Sequence, residues 1–198
     1  MTLTVEDRPQ ALLELLWLRE AHHLEPRGEN LPPLLSETPA DASIETDAAV
    51  RADWESVWPQ AWSEALKHAG RDTDPSLFDR IQATADGSPE RAALVREIVG
   101  PDVRDNFGQH AFADPSYREW EQEGMDEFIS SRPRALEDSP ERRDLDALIP
   151  AWRAGLTKIV TIPCRGVHDR KIGANALLVT DRTRADSESF RRALASFS

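Results

Sequence analysis

Apolar residues recur three and four positions apart over most of the first 150 residues, the period of helices with one buried side. Beyond Gly155 the period changes. Two short runs, LTKIVTIP and IGANALLV, are rich in β-branched residues or apolar on both faces, which favours strands. The chain therefore reads as α+β. It has a mainly helical body of about six helices, a small antiparallel β element near the C-terminus and a final amphipathic helix.

The body helices are predicted over 7–24, 47–69, 75–85, 89–99, 115–130 and 140–153. Four starts are marked by a short polar residue before proline: Asp74-Pro75, Ser88-Pro89, Asp114-Pro115 and Ser139-Pro140. The polar side chain accepts a hydrogen bond from a free N–H of the first turn. Proline fits behind it because its missing N–H would have no partner there. Pro59 should kink the second helix or begin a new segment. Residues 26–46 are rich in proline, acid and small side chains and read as a long loop, with Leu31, Leu34 and Leu35 pinned to the core. The last helix, 186–197, places Phe190, Leu194 and Phe197 on one side.

The strands fall at 157–163 and 172–180. The eight residues between them suggest antiparallel neighbours or edge-to-centre pairing. Two strands alone are marginal in water. They must be covered by helices, joined by a further strand in 101–113 or 29–46, or paired with another chain.

Charge changes the picture at the same boundary. Residues 1–150 carry 32 acidic and 15 basic side chains, and residues 151–198 carry 4 and 9. Within one domain, 1–198, this gives an acidic helical body, 1–153, and a basic strand–loop–strand–helix module, 154–198, packed on it. The net charge of −12 disfavours nucleic acid as a partner of the body. Arg153, Lys158, Arg165, Arg170, Lys171, Arg182 and Arg184 form a local basic patch, but no aromatic residue interleaves with them. An acidic protein or a small anionic ligand fits the patch better than a polymer. No run approaches eighteen apolar residues, and the first ten positions are acidic where a secretory leader would be basic. The expectation is a soluble, cytoplasmic protein with no membrane partner.

The densest knot of reactive and basic groups is 164–171. Cys164, His168 and Asn175 are the residue types of a nucleophile, its base and an orienter. Arg165, Arg170 and Lys171 would stabilise a thiolate or hold an anion, and Gly166 would let a tight turn present N–H groups to it. The plainer alternative is a buried cysteine at a strand end beside a solvated basic loop, with Asn175 bonded to backbone. Cys164 is the only cysteine, which excludes an internal disulfide and a cysteine-rich zinc site. His22 and His23 diverge by about 100° on a helix, and His68, His110 and His168 lack ligand spacing, so no metal or cofactor is expected.

Two further features bear on partners. Trp54, Trp58 and Trp62 stand one turn apart and would form either a partner-binding or homo-oligomer face or a core stripe. Glu119, Glu121, Glu123, Asp126 and Glu127 make an acidic helix face, solvated or docked against the basic module. The leading expectation is a non-catalytic helical interaction or regulatory module that binds an acidic protein or small anion through the 164–171 loop. The alternative is a small enzyme using Cys164 and His168 in acyl or thiol chemistry on an anionic substrate.

Overall fold

Two stretches far apart in sequence meet in one sheet. In the computed structural model, which describes every residue except Met1, Glu45, Thr73, Pro75, Arg134 and Ser198, strand β1 (Thr4–Glu6) lies beside β2 (Lys158–Ile162). Strands β3 (Asp169–Ile172) and β4 (Ala176–Thr180) complete the order β1-β2-β4-β3. β1 and β2 are parallel, β2 and β4 are parallel, and β3 and β4 form an antiparallel hairpin.

The fold is largely helical α+β, with that hairpin near the C-terminus, but the sheet as a whole is mixed. The two predicted runs are neighbours, yet they run parallel. The loop between them contains β3, and the chain turns back through Gly173, whose positive φ of 58° suits glycine. The extra strands are β1 and β3. Residues 101–113 instead hold two short helical turns, Arg104–Phe107 and Gln109–Phe112, and among the described residues the 29–46 loop supplies a single antiparallel bridge, Leu35 to Cys164.

β2 and β4 are buried at every position, as parallel strands covered on both faces are. Alternation sends their side chains to two cores. Val160, Ile162, Ala176 and Leu178 pack toward α1 (Gln10–Ala21) and α2 (Ala48–Ala69). Ile159, Leu177 and Val179 pack toward α8 (Leu145–Arg153) and α10 (Ser187–Ala195). The sheet is the middle of three layers.

The six expected body helices become eight among the described residues. α3 (Ser76–Ala83), α4 (Pro89–Val99) and α6 (Pro115–Ser131) match their forecasts closely. The one-turn α5 (Arg104–Phe107) is additional, and the expected 140–153 helix breaks at Asp144 into α7 (Pro140–Arg143) and α8. A short α9 (Asp181–Ala185) precedes α10. Ser88 and Asp114 cap as expected. Ser139 lies before Pro140 without a capping side-chain bond, and the Asp74-Pro75 start falls on Pro75, outside the described residues. α2 runs unbroken through Pro59. α1 is buried nearly all round, and the Trp58 indole N–H reaches across to donate to Leu15 O at 2.9 Å. No helix among the described residues is long and apolar enough to cross a membrane.

Candidate functional site

The predicted loop is stitched to its own protein. Cys164 lies two residues beyond β2 and bridges Leu35; the Ser36 N–H donates to Pro163 O, and the Arg165 N–H to Leu34 O. The thiol is fully buried in the core shared with α1 and α2. Burial pushes its pKa up to about 12, with Arg19 nearby only partly opposing this. A thiol so placed packs as a small hydrophobe, with its thiolate form disfavoured by burial. Among the described residues no hydrogen bond joins it to His168.

His168 is held through its backbone. Its N–H donates to Thr183 Oγ1, and its carbonyl accepts from Thr183 Oγ1 and the Thr180 N–H. Partial burial lowers the pKa of its imidazole, and Arg170 lowers it further against the pull of Asp169. Asn175 sits at the other end of β4, beside Thr157, because Lys158 pairs with Ala176 and Ile162 with Thr180. Its amide donates to Gly70 O, Asp72 Oδ1 and Thr157 Oγ1. The strand length separates it from Cys164 and His168, so the three expected partners do not converge.

The basic side chains are engaged by neutral groups. Arg165 donates from Nε to Leu35 O and from Nη2 to Thr38 Oγ1, both at 2.7 Å. Arg170 donates to Asn30 O at 3.1 Å, and Lys171 Nζ stands 4.5 Å from the centre of the Phe197 ring. The carbonyl of Gly166, a residue with φ 74°, accepts from Thr180 Oγ1. The tryptophans belong to the core. Trp54, Trp58 and Trp62 are all buried, and the last two stack with centroids 5.4 Å apart. Their burial removes them from any exposed binding face. No three His, Cys, Asp or Glu side chains gather as a metal site would need, among the described residues.

A cleft of about 1050 Å³ opens elsewhere, at the carboxyl ends of the three parallel strands. Asp7 follows β1, Pro163 follows β2 and Asp181 follows β4, and all three line it. The helix after β1 covers one face of the sheet and those after β4 cover the other. Strand ends flanked in this way leave a crevice where α/β sheets commonly seat ligands. The 36–40 segment forms one wall. α6 forms the other, with Glu119, Glu123 and Glu127 along one line and Trp120, Gly124 and Phe128 along the next. Repeats of four keep such residues on one side of a helix.

Arg184 clasps the floor. Its Nη1 donates to Asp7 Oδ1 at 2.7 Å, and its Nε and Nη2 grip both oxygens of Glu141 at 2.7 and 3.1 Å. Thr161 Oγ1 donates to Asp7 O at 3.2 Å. Asp181 is an exposed residue whose carboxyl is nevertheless hemmed in by protein. That burial, with the charges of Asp7 and Glu127, raises its pKa above the ordinary value against the pull of Arg184 and Thr161. Arg8 donates to Gly124 O at 2.8 Å, and a Cβ on Gly124 would come within 3.1 Å of the Arg8 guanidinium. Glycine here lets Arg8 reach the helix. Buried or half-buried ion pairs of this kind recur through the protein, among them Arg104–Glu14, Lys158–Glu6 and Arg143–Asp144.

Asp7, Arg8, Asp181 and Arg184 were not legible as a site. Only the topology brings residues 7 and 181 together, and no local motif marks either. The acidic 119–127 face was visible in sequence, but its place beside the strand ends was not. No protein-family model, no curated protein and no solved structure matches the chain.

Proposed function

We propose that this chain is a non-catalytic interaction module that receives a segment of a partner in the cleft at the carboxyl ends of β1, β2 and β4. The observation that carries the reading is the cleft itself. Its volume of about 1050 Å³ lies just above the range of pockets that enclose small molecules, roughly 300–1,000 Å³. It suits several residues of extended chain. The walls offer aromatic, apolar and charged groups together, as interaction sites do.

The reading takes 1–198 as one folding unit, supported by the pairing of β1 with β2. An anion held by the 164–171 loop draws less support, since Arg165, Arg170 and Lys171 already have intramolecular partners. The catalytic alternative draws none from a sealed Cys164.

Selection of a random peptide library tests the proposal. Ala185 is exposed and lines the cleft, so Ala185→Trp fills it without removing a hydrogen-bonding side chain. Peptides enriched on the native protein should lose at least tenfold in affinity on the variant, measured by fluorescence anisotropy. Peptides that bind both proteins equally would place the binding surface elsewhere and refute the reading.

A further inference from the structure

The cleft has an uneven balance of charge. Asp7, Glu37, Glu119, Glu123, Glu127 and Asp181 line it on the acidic side, against Arg8, Arg132 and Arg184 on the basic side. All three arginines have partners. Arg184 is paired with Asp7 and Glu141, Arg8 bonds the Gly124 carbonyl, and Arg132 lies 5.2 Å from the centre of the Phe128 ring. Among the described residues, Glu37, Glu119, Glu123, Glu127 and Asp181 form no ion pair. Glu127 on α6 is close enough to Asp181, across the cleft, for its charge to add to the rise in that carboxyl's pKa that burial causes. Like charges therefore converge on one space from two sides; among the described residues only Arg184, already paired with Asp7 and Glu141, pulls on Asp181, and no cation pairs with the three α6 carboxylates.

Spacing narrows the class of occupant. Glu119, Glu123 and Glu127 are four residues apart, so their attachment points step by ~6 Å along α6. Alternate residues of an extended peptide step by ~6.7 Å on one side. Three basic side chains at alternate positions can thus face three carboxylates in succession. Trp120, on the adjoining line of α6, gives a guanidinium group a flat surface to lie against.

We infer that the partner segment is a basic stretch of extended chain, with arginine or lysine at alternate positions laid along the Glu119–Glu123–Glu127 face. The inference rests on the cleft being the seat of binding, and it adds the chemistry of the occupant. It reverses the expectation of an acidic partner: the basic loop is occupied, and the unanswered charge is negative.

The test uses the full chain and three labelled peptides: Arg-Ala-Arg-Ala-Arg, its glutamine counterpart and its glutamate counterpart. At low salt the arginine peptide should bind at least tenfold more tightly than the glutamine one, and the glutamate peptide should not bind. Glu119→Gln/Glu123→Gln/Glu127→Gln should weaken the arginine peptide at least tenfold, with the melting curve confirming that the variant is folded. A control that removes as much charge outside the cleft, Glu90→Gln/Glu97→Gln/Asp126→Asn, should change affinity less than twofold. An equal loss in the control would mean non-specific attraction and overturn the inference. Equal binding of the arginine and glutamine peptides, abolished by Ala185→Trp, would overturn the inference about charge while leaving the cleft as the seat. Failure of every peptide to bind would overturn the inference, and the library selection would then decide the cleft's role separately.

Discussion

Asp114→Asn probes how the acidic wall of the cleft is anchored. Asp114 is fully buried and caps α6, the helix that carries Glu119, Glu123 and Glu127. Its Oδ1 accepts from the Ser116 N–H at 2.9 Å and the Ser116 hydroxyl at 2.8 Å. Its Oδ2 accepts from the Ser43 hydroxyl at 2.8 Å and the Ile44 N–H at 3.0 Å. Burial alone would raise this carboxyl, but the four hydrogen bonds outweigh it and bring the pKa to about 2 from an ordinary 3.8. Asparagine keeps the acceptor for Ser116 and turns an amide donor toward the Ile44 N–H.

The magnitude follows from linkage. A fall from 3.8 to about 2 sets a ceiling of ~2.5 kcal/mol on what the charged form contributes at neutral pH. Ser43 and Ile44 are themselves exposed, so solvent screening reduces this to about 1.5 kcal/mol. For a chain of this size that is a loss of roughly 3–6 °C in Tm. The folded pKa is depressed. The stabilisation is therefore complete above 3.8, near half at about pH 3, and lost as pH falls through about 2. Urea unfolding followed by tryptophan fluorescence at pH 7, 5 and 3 should show the native protein and the variant converging as pH drops. A penalty that stays constant across that range, or is absent at pH 7, would refute the charged-cap account.

Three further outcomes are expected. Cys164 should resist a disulfide reagent at neutral pH and react only on adding denaturant, since its pKa is pushed up to about 12 by burial; prompt labelling of the folded protein would contradict a sealed thiol. Gly70→Ala should destabilise by about 1–3 kcal/mol, because a Cβ there would lie 2.4 Å from Ile172 Cγ2, and the effect should shrink in an Ile172→Ala background; full additivity in chemical denaturation would disprove the contact. Arg184→Met should cost about 2 kcal/mol in the same assay by stripping three charge-assisted bonds from Asp7 and Glu141; unchanged stability would show that solvent replaces them.

What the sequence reveals depends on how locally each feature is determined. α4 and α6 are legible because Ser88-Pro89 and Asp114-Pro115 set both cap and first turn within four residues. β2 and β4 are legible because both faces are buried. β1 and β3 are not, since TVE and DRKI are edge strands too short and polar to show alternation. The break at Asp144 also escapes notice. That carboxylate is shared by Ser187, Arg143 and Arg191, two of them from α10, so a long-range contact ends a locally plausible helix. Cys164 and His168 attract attention by residue type. What decides their environment is the Leu35 bridge and the Thr180–Thr183 bonds, neither of which has a local signature.

The contrast between an acidic body and a basic C-terminal segment follows from the same topology. β2, β4, α9 and α10 are packed among earlier elements, and three of their cations meet carboxylates of those elements. Lys158 meets Glu6, Arg184 meets Asp7 and Glu141, and Arg191 meets Asp144 and Asp146. These acids lie at the end of β1 and along α7 and α8, not on the 119–127 face. Pairing inside the fold thus engages Lys158, Arg184 and Arg191 and, among the described residues, leaves the α6 carboxylates without an ion pair. Two like-charged pairs four residues apart cost α6 roughly 0.2–0.5 kcal/mol each, a burden with no internal compensation among the described residues. An external cation laid along that face would remove it, so occupation by a basic segment would relieve a repulsion that the isolated chain carries.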